Sequence, residues 1–251
     1  MNIFEPPQAA TGAASTPSYA LARPTAANHY IGPAAALAGN AAGFSVAAMA
    51  ETHDIGVAEE VWFSNLAKFA GNGGWSLGKA GDRFRFAISQ ADGSEVSNFT
   101  DADFFTDMRY KLFGRPWMLT MVFNGGTGVA TLYVNGEIAR TLTPAAGYGV
   151  SDPSNVPFIG RCDNAGAPLA AVSSSIYGCG YVESALTEAQ VIEHYIASKY
   201  ADAFVDGGAA WDNLYSFEDE ATAPTTLSDL AGAVDFTRVG APSTVALPRD
   251  Y

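Results

Sequence analysis

From Phe44 onward, short runs rich in Phe, Val, Ile, Trp and Tyr alternate with turn-forming stretches: GNGG at 71–74, KAGD at 79–82, ADGS at 91–94 and NGGTG at 124–128. That rhythm predicts many short strands joined by tight turns. In DRFRFAIS (82–89), Phe84, Phe86 and Ile88 alternate with Arg83, Arg85 and Ala87, the two-residue period of a strand with one face buried. In WMLTMVF (117–123) both parities are apolar apart from Thr120, as expected of an inner strand covered on both sides. TLYVNGEIA (131–139) reads as strand, turn, strand. Asn135-Gly136 supplies the two positive-φ positions of a type I′ hairpin, with Leu132 and Val134 on one strand and Ile138 on the other facing a common core.

The rhythm breaks once, at SALTEAQVIEHYIASKYADAF (184–204), which predicts a helix. Thr187 is placed to cap it and Gln190 to reach back in a capping box. Two stripes at helical spacing can face inward: Val191, Tyr195 and Ser198, or Ile192, Ile196 and Lys199. Residues 1–43 have a different texture, with Ala, Pro, Gly, Ser and Thr dominant and only Glu5 and Arg23 charged. Such a stretch has too few large apolar side chains to fold alone, and it reads as an extended arm docked on a partner surface.

Composition narrows the classes. The 251 residues carry a net charge of −13, which repels phosphate backbones and anionic lipid, so nucleic acid is not an expected partner. No apolar run is long enough to cross a bilayer, so membrane insertion is not expected either. Residues 1–10 lack the basic start and apolar centre of a secretory signal, so routing through general secretion is not expected. Cys162 and Cys179 show no metal-ligand spacing. They read as two buried thiols, with a disulfide between strands geometrically open. His29, His53 and His194 are scattered and read as ordinary surface or core histidines.

Trp117 at the head of a strand, LYVNGE (132–137), FIGR (158–161) and ALTEAQV (185–191), in this order and spacing, resemble the laminin-G-like branch of the concanavalin A-like lectin and glucanase superfamily. The resemblance spans about residues 44–200 and implies an all-β fold, an antiparallel jelly-roll sandwich with one short helix in its second half. The chain departs from the pattern where the family usually has a glycine two residues before Ile176; here the run is Ser173, Ser174, Ser175. It also departs in order: Leu214–Val245, with Phe217-Glu218 and Asp229 to Gly232, resembles the segment that normally opens such a module, yet comes last. Residues 205–251 are therefore expected to complete the sandwich of residues 44–251, as a circular permutation or by strand exchange with a neighbour, with Leu214 and Phe217 buried.

Glucan-cleaving members of the superfamily carry a Glu-x-Asp-x-x-Glu strand that sets carboxylates on one face. This chain lacks it and lacks a Gly-x-Ser-x-Gly elbow, so no catalysis is expected. Glu218 and Glu220 share a strand parity that a solvated edge explains. Trp75, behind the Gly-rich lead-in that contains Asn72, is the candidate for stacking on a sugar; the competing reading is that it packs in the core, as Trp62, Trp117 and Trp211 are expected to do. Asp152, Asn155, Asp163 and Asn164 lie in loops where oxygen ligands could hold calcium, and turn chemistry explains the same residues. The resemblance together with the arm implies a lectin-like surface or assembly protein: a virion structural or decoration component at the virion surface that contacts copies of itself, or another structural protein, through the arm and binds cell-surface glycans weakly and multivalently. A secreted glycan-active hydrolase or lyase and a bacterial surface adhesin are the rival readings.

Overall fold

The computed structural model describes residues 19–53, 59–68, 73–92, 94–99, 116–149, 155–164, 169–170, 173–201, 204–207, 210–217, 220 and 222–246. Two sheets pack face to face. The first runs β10 (Glu137–Leu142), β9 (Val129–Val134), β8 (Pro116–Asn124), β3 (Gly43–Thr52), β14 (Ser174–Val182), β1 (Tyr19–Ala22) and β18 (Ser243–Ala246), with β15 (Asn213–Ser216) also paired to β14. The second runs β16 (Thr226–Leu227), β17 (Phe236–Val239), β2 (His29–Ile31), β11 (Phe158–Ile159), β4 (Glu60–Lys68), β5 (Gly74–Ala80), β6 (Arg83–Ser89) and β7 (Glu95–Phe99). The short β12 (Arg161–Asn164) lies parallel to β4 and antiparallel to β13 (Leu169–Ala170); the other pairings described are antiparallel. This is the all-β sandwich that the alternating texture predicts.

The core between the sheets is aromatic. Phe44, Trp62, Phe63, Trp75, Phe84, Phe86, Tyr181, Tyr215 and Phe217 are all fully buried there, most pairs meeting edge-on or tilted as ring quadrupoles prefer, with Phe63 and Trp75 4.8 Å apart in a T-shaped pair and Trp75 and Phe44 each stacked on Tyr181. β8 is buried on both faces, as its uninterrupted apolar run requires. β6 departs from the expectation of a half-solvated strand: Phe84, Phe86 and Ile88 face the core, but Arg85 and Ala87 on the other face are buried as well, Arg85 pairing with Glu59 at 2.8 Å and Ala87 packing with Val61 and Cys162.

The hairpin forms with Asn135 and Gly136 at φ 51° and 81°. Its two-residue turn sets Ile138 opposite Tyr133 rather than opposite Val134, so Ile138 takes the outer face and is 53% exposed while Leu132 and Val134 are buried. The expectation that all three share one core fails on that parity. Helix α1 (Glu188–Ala201) opens with a reciprocal capping box, in which the Thr187 backbone donates to the Gln190 side chain and the Gln190 backbone to Thr187 Oγ. It lies on the outer face of the first sheet with Val191 and Ser198 of the first candidate stripe buried, Tyr195 of that stripe only partly buried and His194 buried beside them, leaving Ile192 and Ile196 exposed.

The arm expected over residues 1–43 needs correction. Residues 1–18 lie outside the described residues, but β1 and β2 within 19–43 are strands of the two sheets, and Leu21, Tyr30 and Leu37 are buried in the core. Averaging composition over the whole stretch hid these few large side chains, which are enough to dock it. At the other end of the chain, β15 pairs with β14, β17 with β2 and β18 with β1, and Leu214 and Phe217 are buried. Cys162 and Cys179 are buried thiols not joined in a disulfide, and burial raises the Cys179 thiol well above its usual range.

Candidate functional site

β3 runs the length of the first sheet and gives the sandwich two distinct ends. At the end where β3 begins, residues 33–42 form a cap of small residues over the aromatic core, held by side chains that reach up from below. Trp75 Nε1 donates to the Leu37 carbonyl at 3.0 Å, Tyr148 OH donates to the Ala38 carbonyl at 2.7 Å, and Tyr181 OH accepts from the Gly39 backbone at 3.1 Å. The Asn65 amide donates to the Ala36 carbonyl. Burial raises both phenols, so they remain neutral hydrogen-bonding groups. Beside the cap, Gly125 approaches so closely that a Cβ there would lie 2.0 Å from the Ala41 carbonyl oxygen, and its amide bonds Ala42 O. Gln90 ties the turn at 144–147 to Ser94, accepting from the Ala146 backbone and donating to the Ser94 hydroxyl. The result is a rim of small side chains and backbone groups, with Ala34, Asn40, Ala41 and Asn124 exposed along it.

Among the described residues read from sequence as binding candidates, Trp75 and Asn155 sit at this end, in roles other than those expected. Trp75 is 0% exposed, stacked over Tyr181 at 6.2 Å, with its N–H used by the cap; it supports the rim from below and offers no face to a sugar. The core reading of this indole is the one the structure gives, because a large aromatic at the start of β5 gains more from burial than from exposure. Asn155 is buried, donates its amide to the Gly73 carbonyl and accepts from Ala35 N through its backbone, so it ties the cap to the β4–β5 connection. β12 places Asp163 and Asn164 opposite Ala67 and Lys68, next to the same connection. Asn72, Asp152 and the side chains of Asp163 and Asn164 lie outside what is described, and among the described residues no group of three His, Cys, Asp or Glu side chains gathers to hold a metal.

The end where β3 finishes is built from ionisable side chains. Glu60 is fully buried at the head of β4; its Oε1 accepts from Ser173 N at 2.6 Å and its Oε2 from Ser174 Oγ at 2.6 Å, with Lys79 Nζ at 3.9 Å across the strand pair. Trp62 Nε1 donates to the same Ser174 hydroxyl at 3.1 Å. A carboxylate this deep persists because it is paired and hydrogen-bonded on both oxygens. On the outer face of the first sheet Glu51, His53, Ser175 and Tyr177 form a second polar group, with Tyr177 OH donating to Glu51 Oε2 at 3.1 Å. The Ser173–Ser175 run thus serves both faces. Glu51, Glu60 and Ser175 were not site candidates in the sequence, although Glu51 and His53 stand at strand alternation, the one local signal that they share a face.

No family model matches the sequence, and a search of curated proteins finds no match. Solved structures share the fold. A candidate carbohydrate-binding protein of Bacteroides ovatus superposes with a TM-score of 0.61 at 16% identity, over 93% of this chain and 61% of that one. The chain thus spans under two thirds of that protein's length. The CBM40 of the Ruminococcus gnavus IT-sialidase, solved with α2,3-sialyllactose, superposes with a TM-score of 0.50 at 13% identity, over 65% of this chain and 91% of that one. At such identities the likeness is one of fold.

Proposed function

We propose that this sandwich is a glycan-recognition module that binds rather than cleaves glycosidic bonds, displayed in many copies on a surface or assembly protein, with a virion structural or decoration component as the setting. The observation that carries the reading is the fold shared over 93% of the chain with a candidate carbohydrate-binding protein. The rim at the start of β3 supports it: a cap fixed from beneath by Trp75, Tyr148 and Tyr181 holds the exposed Asn40 and its neighbours in place, and a preorganised surface binds with less ordering cost. With small exposed side chains along it, each contact is weak, and useful affinity comes from multivalent display.

A glycan array probed with an artificially oligomerised form tests this. Binding to a defined glycan class is expected, together with its loss in Ala41→Arg, which plants a long side chain on the exposed rim and leaves the core alone. An empty array, or unchanged binding in that variant, removes the rim from consideration. Repeating the array with a chelator tests the calcium that Asp152, Asn155, Asp163 and Asn164 were read to hold; loss of binding there assigns the metal a role, and retention leaves those residues to turn chemistry.

A further inference from the structure

At the end of the sandwich away from the rim, three side chains on the outer face of the first sheet line up across a strand pair. Ser175 on β14 stands opposite Glu51 on β3, and His53 follows Glu51 by two residues, so all three project from the same side. His53 Nε2 lies 2.9 Å from Ser175 Oγ, and His53 Nδ1 lies 3.5 Å from Glu51 Oε1. The second Glu51 oxygen is held by Tyr177 OH, which keeps the carboxylate turned toward the ring. Ser175 is almost wholly buried, while the His53 side chain is 29% exposed and marks the approach from solvent.

In the tautomer protonated on Nδ1, the nitrogen nearer Glu51, the other ring nitrogen carries the lone pair that faces the serine hydroxyl. We propose that Ser175, His53 and Glu51 form an acyl-transfer relay acting on small acyl esters, with Ser175 as nucleophile, His53 as general base and acid, and Glu51 as the positioning residue. His53 Nε2 takes the Oγ proton as Oγ bonds to the acyl carbon; the bond from that carbon to the alcohol oxygen breaks, and the proton on Nε2 passes to the departing alkoxide. Water then attacks the acyl-serine, giving its proton to Nε2. The Oγ–carbon bond breaks, the carboxylic acid leaves, and Ser175 recovers its proton. β14 is paired on both sides at Ser175, with Glu51 and Ala22 opposite, so its ladder amides are occupied and the relay works without a strand-supplied oxyanion hole. Turnover is therefore slow, by roughly two to three powers of ten relative to a site with one. The relay is independent of the glycan reading, since it lies at the opposite end of β3.

The test is covalent labelling of the full chain by a fluorophosphonate probe, with the adduct located by mass spectrometry, alongside hydrolysis of p-nitrophenyl acetate. Labelling at Ser175 is expected, with both signals lowered roughly a hundredfold or more in Ser175→Ala and His53→Gln. Glu51→Gln is expected to lower the maximal labelling rate with the probe concentration at half-maximal rate unchanged, and Glu51→Asp to restore part of that rate; a purely structural role would move both constants together. An unlabelled Ser175 in the wild-type protein, or hydrolysis unchanged in a Ser175→Ala protein that melts like wild type, overturns the proposal. If the alanine variant does not fold, the site of labelling in the wild-type chain decides alone.

Discussion

The two ends of this sandwich solve the same problem by opposite means. Where β3 begins, the open end of an aromatic core is closed by small residues and backbone, pinned by neutral groups: an indole, two phenols and side-chain amides. Where β3 finishes, it is closed by charge, with Glu60 buried against Lys79, Ser173 and Ser174 and a second polar group behind it on the outer face. Each neutral pin contributes little, so the rim tolerates losing one. A buried carboxylate is an all-or-nothing element, since removing it strands its partners in a medium that cannot solvate them.

That contrast is open to measurement, beginning with the charged end. Glu60→Ala leaves Lys79 and two donors without their carboxylate and is expected to cost about 3–5 kcal/mol, read as a fall in the denaturation midpoint. A cost under 1 kcal/mol would mean that water fills the site and that the two ends do not differ in kind.

Acid offers the next contrast. His194 is packed edge-on against Phe204 and Trp211, and burial lowers it to about 4; His29 is lowered to about 4 by burial and by the Arg161 guanidinium beside it. Both values lie below the ordinary 6.5 of the unfolded chain, so the unfolded state takes up protons first as pH falls, and stability is lost between about 6.5 and 4, by at most about 3 kcal/mol per histidine. Above 6.5 neither contributes. Melting temperature followed across that window should fall, and His194→Phe should flatten part of the slope. The rim pins carry no group that titrates there, so a rim-binding signal should persist until the whole fold gives way.

Smaller effects belong to single loops. Asp229 accepts hydrogen bonds from the backbone of Leu214, Ala231 and Gly232 and from Asn213; burial alone would raise it, but these donors outweigh burial and hold it below the usual range. Asp229→Ala should cost about 1–3 kcal/mol, measured by the same unfolding curve. Smallest of all, Tyr148→Phe removes one pin from the cap and should cost about 1 kcal/mol, leaving the cap protected in hydrogen exchange. Wholesale exchange of residues 33–42 in that variant would show that the rim depends on one bond and is as brittle as the charged end.

The rim was partly legible because its turn signals are local. The Gly-rich stretches announced where strands stop, and Trp75, Asn155, Asp163 and Asn164 all fell near one end. What each side chain does there was not legible: whether Trp75 faces a sugar or a core depends on Leu37 and Tyr181, far away in the chain. The charged end was hidden almost entirely. Glu60 meets Ser174, and His53 meets Ser175, across more than a hundred residues of sequence, and no window of the chain contains both members of either pair.

By itself the sequence determined the strand texture, the hairpin turn at Asn135-Gly136, the capping box of the helix and an interior rich in aromatics, since each depends on residues within a few positions of one another. Only the tertiary structure decided that residues 19–43 belong to both sheets, that Ile138 faces outward, that Trp75 supports the rim from below, and that the serine run joins Glu60 on one face and His53 on the other. Register is the reason: a strand offers its two faces alternately, and which face meets which neighbour is set by pairings between distant segments, each stabilised only once the others have formed.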